Sequence, residues 1–249
     1  MVLCNMVRLI FLGTGGWITV PYRKYQCIFI EGSDGVIVLD CGSFDGTQYE
    51  TYKSFLTKIK GIIITHIHGD HILGLPSLLF YMKYSNVRGE VNLITPEVYL
   101  NFLEQLIEKL ITDAPYTIKY IGVSNGSEVN IGEYIISTFE VNHSIYNVGC
   151  KVYVDDRIVG YSSDTRYCNG LEKIALDTDL LICEASFPSK MRDKAFSIGH
   201  LTPIDALRVA KTSNVKQLIL THIGFEIENE SKSLDGNVIW ASDNLIIDI

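Results

Sequence analysis

Only six histidines, six prolines and two tryptophans occur in these 249 residues, and no apolar run approaches the roughly 20 residues that a membrane-spanning helix needs. Positive charge is also scarce. Twenty-one Lys and Arg face 29 Asp and Glu, for a net charge of −8, which excludes a broad nucleic-acid surface because such binding rests on neutralising phosphates. Arg23 and Lys24 in the first loop, with Lys190, Arg192 and Lys194 ahead of His200, make either a local basic rim able to steer an anion or plain solvated loops. No Cys-x-x-Cys pair occurs among Cys4, Cys27, Cys41, Cys150, Cys168 and Cys183. Scattered this way they predict free thiols in a reducing cytoplasm, with Cys41 and Cys183 serving as packing residues. The opening Met-Val-Leu-Cys-Asn-Met-Val-Arg has no basic leader and no small-residue cleavage site, so a signal peptide is not expected. No Ser/Gly/Pro-rich linker divides the chain, which reads as one domain over residues 1–249.

What is present is an ordinary globular composition, 47% apolar and 20% charged, with short β-branched runs. The pattern predicts strands over 7–12, 26–31 and 35–40, a helix over 47–59 with Tyr52, Phe55, Leu56 and Ile59 on one face, and a strand over 61–65. A helix from Ile72 to about Lys83 follows, then one opened by Thr95 as cap and Pro96 in its first turn. After Pro115 come short strands over 117–123, 127–131, 133–141, 149–154 and 157–161, with Asp155 and Asp156 as a turn. A helix near 170–176, a strand over 179–183, a helix from Thr202-Pro203 to about Ser213 and a strand over 215–221 complete the order. The tail, 237–249, reads as a hairpin closing a sheet. Periodicity alone yields a mixed α/β layered protein.

The chemistry concentrates in Gly61 to Leu75. A buried strand, Ile62 to Ile64, delivers His66, His68, Asp70 and His71 into a short loop, where Gly69 is expected to supply backbone angles closed to other residues. Crowded imidazoles and a carboxylate are costly without partners, and a divalent cation is one. His-x-His-x-Asp-His would arise by chance in roughly one such chain in several thousand. The other histidines, His143, His200 and His222, also stand where strand runs break into loops, as does Asp164 in Ser-Ser-Asp-Thr. Gly13-Thr14-Gly15-Gly16 lacks the spacing of a phosphate-cradling loop.

Thr-His-Ile-His-Gly-Asp-His resembles the signature loop of the metallo-β-lactamase superfamily, and residues 69–79 resemble its ribonuclease Z branch. So do Phe-Leu-Gly-Thr-Gly-Gly (11–16), Leu-Asp-Cys-Gly (39–42), Ser-Asp-Thr-Arg (163–166) and Gln-Leu-Ile-Leu-Thr-His-Ile (217–223). The resemblance implies an αββα two-sheet sandwich flanked by helices and two divalent metal ions, Zn²⁺ first, with Mn²⁺ or Fe as alternatives. By the same resemblance His66, His68 and His143 hold one ion, Asp70, His71 and His222 the other, and Asp164 bridges them. Two such ions can hold a hydroxide between them and clamp a phosphoryl group. Asp70 would also orient or deprotonate the attacking water. His200 is either an unligated loop residue or a general acid oriented by Glu184. The family's proton-donating Glu and His match Glu184 and His200, with Cys183, Ser186 and Leu201 departing from its motifs.

Residues 144–163 leave little room for the arm with which ribonuclease Z grips transfer RNA. The loop 21–26 matches the family loop only loosely, and Gly-His-Leu-Thr is closer to small phosphodiesterases acting on cyclic nucleotides or cyclic phosphates. The expectation is therefore a hydrolase of a phosphodiester, small molecule or RNA end, with no membrane partner and with a homodimer compatible with the chain. Alternatives are a transfer-RNA 3′-processing endonuclease, a β-lactam or thioester hydrolase, and a metal-stabilised binding module.

Overall fold

The computed structural model describes residues 6–225, 227, 230, 234 and 237–249; Cys4 lies outside them. Three apolar runs open the chain as antiparallel neighbours, β1 (Arg8–Gly13), β2 (Cys27–Gly32) and β3 (Gly35–Cys41). Helix α1 (Gly46–Leu56) starts at a capping box: Asp45 accepts from the amides of Thr47 and Gln48, and Gln48 accepts back from Asp45 N. β4 (Ile59–Ile63), α2 (Gly69–Ile72), α3 (Leu75–Tyr84), β5 (Gly89–Pro96), α4 (Glu97–Leu110) and β6 (Tyr116–Val123) follow, and β3 to β6 run parallel. The second half contributes β7 (Glu128–Ile131), β8 (Tyr134–Val141), β9 (Asn147–Val154) and β10 (Arg157–Tyr161) as an antiparallel meander. After it come α5 (Asn169–Ala175), β11 (Leu180–Glu184), α6 (Arg192–Ser197), α7 (Pro203–Thr212), β12 (Gln217–Thr221), β13 (Val238–Trp240) and β14 (Leu245–Asp248).

Among the described residues these strands form two seven-stranded sheets, ordered β14-β1-β2-β3-β4-β5-β6 and β13-β12-β11-β10-β9-β8-β7. Alternate residues of each strand fill two different layers, which is why the strands are apolar throughout. Leu9, Phe11, Ile28, Ile37 and Ile63 meet Ile136, Val152, Val159, Ile182 and Ile219 between the sheets. Ile10, Phe29, Val38 and Ile62 instead face Leu56, Leu78 and Leu103 of α1, α3 and α4, while Leu181 and Leu220 face Leu171, Ile174 and Val209 of α5 and α7. This is the αββα sandwich that the resemblance implied. None of the described helices is long and apolar enough to cross a membrane.

Several expected elements differ. α1 stops at Leu56 because Ile59 opens β4 instead, so the expected strand over 61–65 lies two residues earlier. The helix from Ile72 is two helices, α2 and α3, meeting at Gly74, where a Cβ would lie 2.5 Å from the backbone of Ser43 and Phe44. Thr95 is not a cap. It belongs to β5, a strand absent from the sequence reading because Val-Asn-Leu-Ile-Thr is broken by a polar residue, and Pro96 itself takes the cap position. The tail is not a hairpin: β13 joins β12 in one sheet and β14 joins β1 in the other, so it ties the two sheets together.

Candidate metal centre

The site forms where strands run out. β3 ends beside Asp40, β4 is followed by Thr65 and His66, and β8 leads to His143. β10 leads to Asp164, β11 ends on Glu184, and β12 delivers His222. α2 is a single turn carrying Asp70 and His71 side by side, both buried. Gly69 has an ordinary negative φ; its role is space, since a Cβ there would meet Trp17 at 2.7 Å. Gly16, in the loop given no role from its spacing, does the same for His222, whose ring carbon Cε1 would be 2.4 Å from a Cβ. Asp40, Ser163 and His222 all have left-handed backbone near φ +50°, which side chains with a Cβ rarely adopt and which marks strain held by the surrounding packing.

Two donor groups share one carboxylate. His66 Nε2 and His143 Nε2 each lie 3.1 Å from His68 Nδ1, and both lie within 3.9 Å of Asp164 Oδ2. On the other side His222 Nε2 is 3.1 Å from Asp70 Oδ2 and 3.3 Å from His71 Nε2; it is also 3.3 Å from Asp164 Oδ2, and His71 Nε2 is 3.4 Å from Asp164 Oδ1. All seven predicted ligand residues are therefore brought together, in the groupings the resemblance implied. Asp164 Oδ1 is buried with no hydrogen-bond partner, and ring nitrogens of five histidines gather around this carboxylate. A divalent cation satisfies imidazole and carboxylate acceptors aimed at one another all at once, so the donor set fits divalent metal ions.

The outward nitrogens are held so that the inward ones stay free. His71 Nδ1 donates to Asp40 Oδ2 at 2.8 Å, His143 Nδ1 donates to Gly199 O at 2.9 Å, and His66 Nδ1 meets Thr65 Oγ1 at 3.2 Å. Burial holds the imidazoles of His66, His68 and His143 below their usual range, as neutral ligands require. Burial opposes charge on His71 and His222 too, but Asp164 with Asp40 or Asp70 raises both. Asp164 and Asp70 are held low against their own burial by His222 and His71. The carboxylates demand positive charge at this point.

His200 belongs to neither group but lies against them, clustered with Glu184 and His222. Its Nδ1 is 3.0 Å from Glu184 Oε1, and Thr165 N donates to the same oxygen at 2.6 Å. Burial disfavours its charge, but the Glu184 carboxylate outweighs that and pushes His200 up to about 9. The centre opens into a cleft of about 640 Å³, whose walls include His200, Trp17, Phe187, Phe225 and Lys194. Of the expected basic rim only Lys194 lines it: Arg23 bonds Thr14 and Ala241, Lys24 pairs with Asp45, and Arg192 pairs with Asp205.

A family model described as anti-Pycsar protein Apyc1 matches residues 7–191, well over half of the chain. The chain belongs to the anti-Pycsar protein Apyc1 family. Its relatives include a ribonuclease Z of Ignicoccus hospitalis, 29% identical, with 92% of this chain and 91% of that protein covered. Among solved structures, the metallo-β-lactamase fold protein YhfI of Bacillus subtilis superposes with a TM-score of 0.81 at 20% identity, covering 98% of this chain and all of that one. Human tRNase Z, short form, does so at 0.81 and 24% identity, covering 96% and 98%. This member of the Apyc1 family is a metal-dependent, ribonuclease Z-like hydrolase with the metallo-β-lactamase fold.

Sequence reasoning missed the residues behind the ligands. Asp40 accepts from His71, from Tyr161 Oη at 2.6 Å and from Thr65 N at 2.8 Å. Its signal was a carboxylate ending an otherwise apolar strand, in Leu-Asp-Cys-Gly. Asn147, which donates to Asp164 O, and Ser163, which donates to Thr65 Oγ1, gave no signal.

Proposed function

We propose that this chain hydrolyses a small, nucleotide-sized phosphodiester, cyclic or linear, rather than a transfer-RNA precursor. The observation that carries the reading is Asp164: buried, shared between two histidine groups, and with one oxygen lacking any hydrogen-bond partner. His66, His68 and His143 would hold one divalent ion, and Asp70, His71 and His222 the second, with Asp164 between them. Zn²⁺ suits imidazole and carboxylate donors best. Bound there, the ions supply Lewis-acid stabilisation of the phosphoryl oxygens and activation of water.

The protein's own groups do the rest. Asp70 accepts a hydrogen bond from the attacking water and takes its proton as the new O–P bond forms. His200, its Nδ1 engaged by Glu184, presents Nε2–H to the leaving oxygen and gives up that proton as the P–O bond breaks. Glu184 is the positioning residue that keeps the ring oriented and charged. Trp17 and Phe225, 59% and 62% exposed at the cleft mouth, offer flat apolar walls to the organic part of the ester, and Lys194 offers a counter-charge.

Size supports a small substrate. Residues 144–163 are taken up by a short connection, the β9–β10 hairpin and the turn into Asp164, with no protruding arm. The alignment with the Ignicoccus hospitalis ribonuclease Z spans 276 positions, more than this whole chain, so that relative has segments without counterpart here. A reducing cytoplasm is the compartment we favour, supported by Cys27, Cys41, Cys150, Cys168 and Cys183 all being free thiols. The test is a panel on the Zn²⁺-loaded protein: an aryl phosphodiester, a nucleoside cyclic phosphate, a precursor transfer RNA and a β-lactam. Turnover of the first two alone is expected; cleavage of the precursor at a rate matching the cyclic phosphate would overturn the reading.

A further inference from the structure

Ser186 Oγ has three polar neighbours: Glu184 Oε2 at 2.5 Å, His222 Nδ1 at 2.8 Å and His200 Nδ1 at 3.2 Å. A hydroxyl brings one proton and two lone pairs to such a meeting. The Glu184 carboxylate can only accept, so the hydroxyl proton goes to it. The oxygen must then accept from His222, whose Nδ1 carries the hydrogen. In its neutral form, which a metal ligand must take, His222 is thereby the tautomer with a free Nε2 lone pair, and Nε2 is the atom facing Asp70, Asp164 and His71. His200 Nδ1 lies nearer to Glu184 Oε1, at 3.0 Å, and donates there.

We infer that Ser186 is a positioning residue that sets the tautomer of His222 and ties it to the Glu184–His200 pair. The inference rests on the reading of His222 as a metal ligand. One hydroxyl thus joins the two halves of the site: the group that holds an ion and the group that holds a proton. The backbone at Ser186 is fixed independently, since Gly224 packs so closely that a Cβ there would lie 2.2 Å from Ser186 O. Glu184 likewise keeps Thr165 N and His200 when the hydroxyl is removed. Loss of the hydroxyl therefore removes a hydrogen bond and leaves the fold.

The experiment compares the wild type, Ser186→Ala and Ser186→Thr. Zn²⁺ affinity is measured by competition with a chromophoric chelator, the His222 tautomer by histidine nitrogen NMR of the metal-free protein at a pH high enough for the ring to be neutral, and folding by thermal melts. The wild type and Ser186→Thr are expected to bind two ions with similar affinity, because threonine keeps the hydroxyl. Ser186→Ala should bind one ion about 10- to 100-fold more weakly, the usual loss for a partner behind a ligand, and should lose the Nδ1–H signature of His222. Equal affinity in wild type and Ser186→Ala would overturn the inference while leaving the metal reading intact. Equal losses in the alanine and threonine variants would overturn it too, by assigning the effect to packing. A wild type that binds no ion would overturn the metal reading itself.

Discussion

His71 Nδ1 donates to Asp40 Oδ2 across 2.8 Å, joining a fully buried residue of the α2 turn to a fully buried one at the end of β3. The same carboxylate oxygen accepts from Tyr161 Oη at 2.6 Å, so Asp40 aims the ring and is itself aimed by the facing sheet. Asp40→Asn should keep the shape and lose the charge. Zn²⁺ affinity at the His71 side should fall by about 10- to 100-fold, measured by chelator competition. An unchanged affinity would show that Asp40 serves folding only.

Asp164 is the carboxylate shared by both histidine groups. Asp164→Ala is expected to bind at most one ion at saturating Zn²⁺, by metal analysis of the dialysed protein, and to lose most phosphodiesterase activity. A variant holding two ions would remove Asp164 from its bridging place.

For His200 and Glu184 the leaving group and the pH decide. An aryl oxide leaves without a proton, whereas an alkyl or ribose oxygen needs one, and a general acid is worth roughly 10²- to 10⁴-fold where the proton matters. His200→Ala should lose that much on a nucleoside cyclic phosphate and far less on an aryl diester, with metal content unchanged. The acid must be protonated to work, so activity falls as pH rises through its pKa. Burial and Glu184 together leave His200 at about 9, with the carboxylate supplying the upward push. Glu184→Gln removes that push, so the alkaline limb of the rate profile should move to lower pH. A limb that stays in place would separate Glu184 from the ionisation of His200.

Gly16 tests the packing around the ligand. A Cβ at this position would sit 2.4 Å from the His222 ring, which Ser186 and Asp70 hold in place. Gly16→Ala should displace His222 and weaken binding of one ion, while circular dichroism shows the sheets intact. Full metal content with unaltered affinity would mean that the 13–16 loop yields instead.

The thiols are expected to be silent in metal binding. Burial pushes the Cys41 and Cys183 thiols well above their ordinary range, so neither supplies the thiolate that a metal would bind. Cys41→Ser and Cys183→Ser should keep the metal content of the wild type. Metal loss in a folded variant of either would show a ligand set that includes sulfur.

The histidines and Asp70 were legible in the sequence because ligands at a loop must be dense and polar where the surrounding runs are apolar. Strand character was legible for the same reason: runs buried on both faces, such as Val36 to Leu39, have no polar face to lose. β5 escaped notice because Asn92 interrupts its run, and its place was decided by pairing with β4 and β6. Ser186 and Gly16 carry no local signature, since what they do is set by a partner 36 and 206 residues away in the chain. The amino-acid sequence by itself determined which groups are available to hold ions and move a proton. Only the tertiary structure decided which nitrogen of each imidazole faces inward, because that depends on a hydrogen bond from a residue the chain brings back from elsewhere.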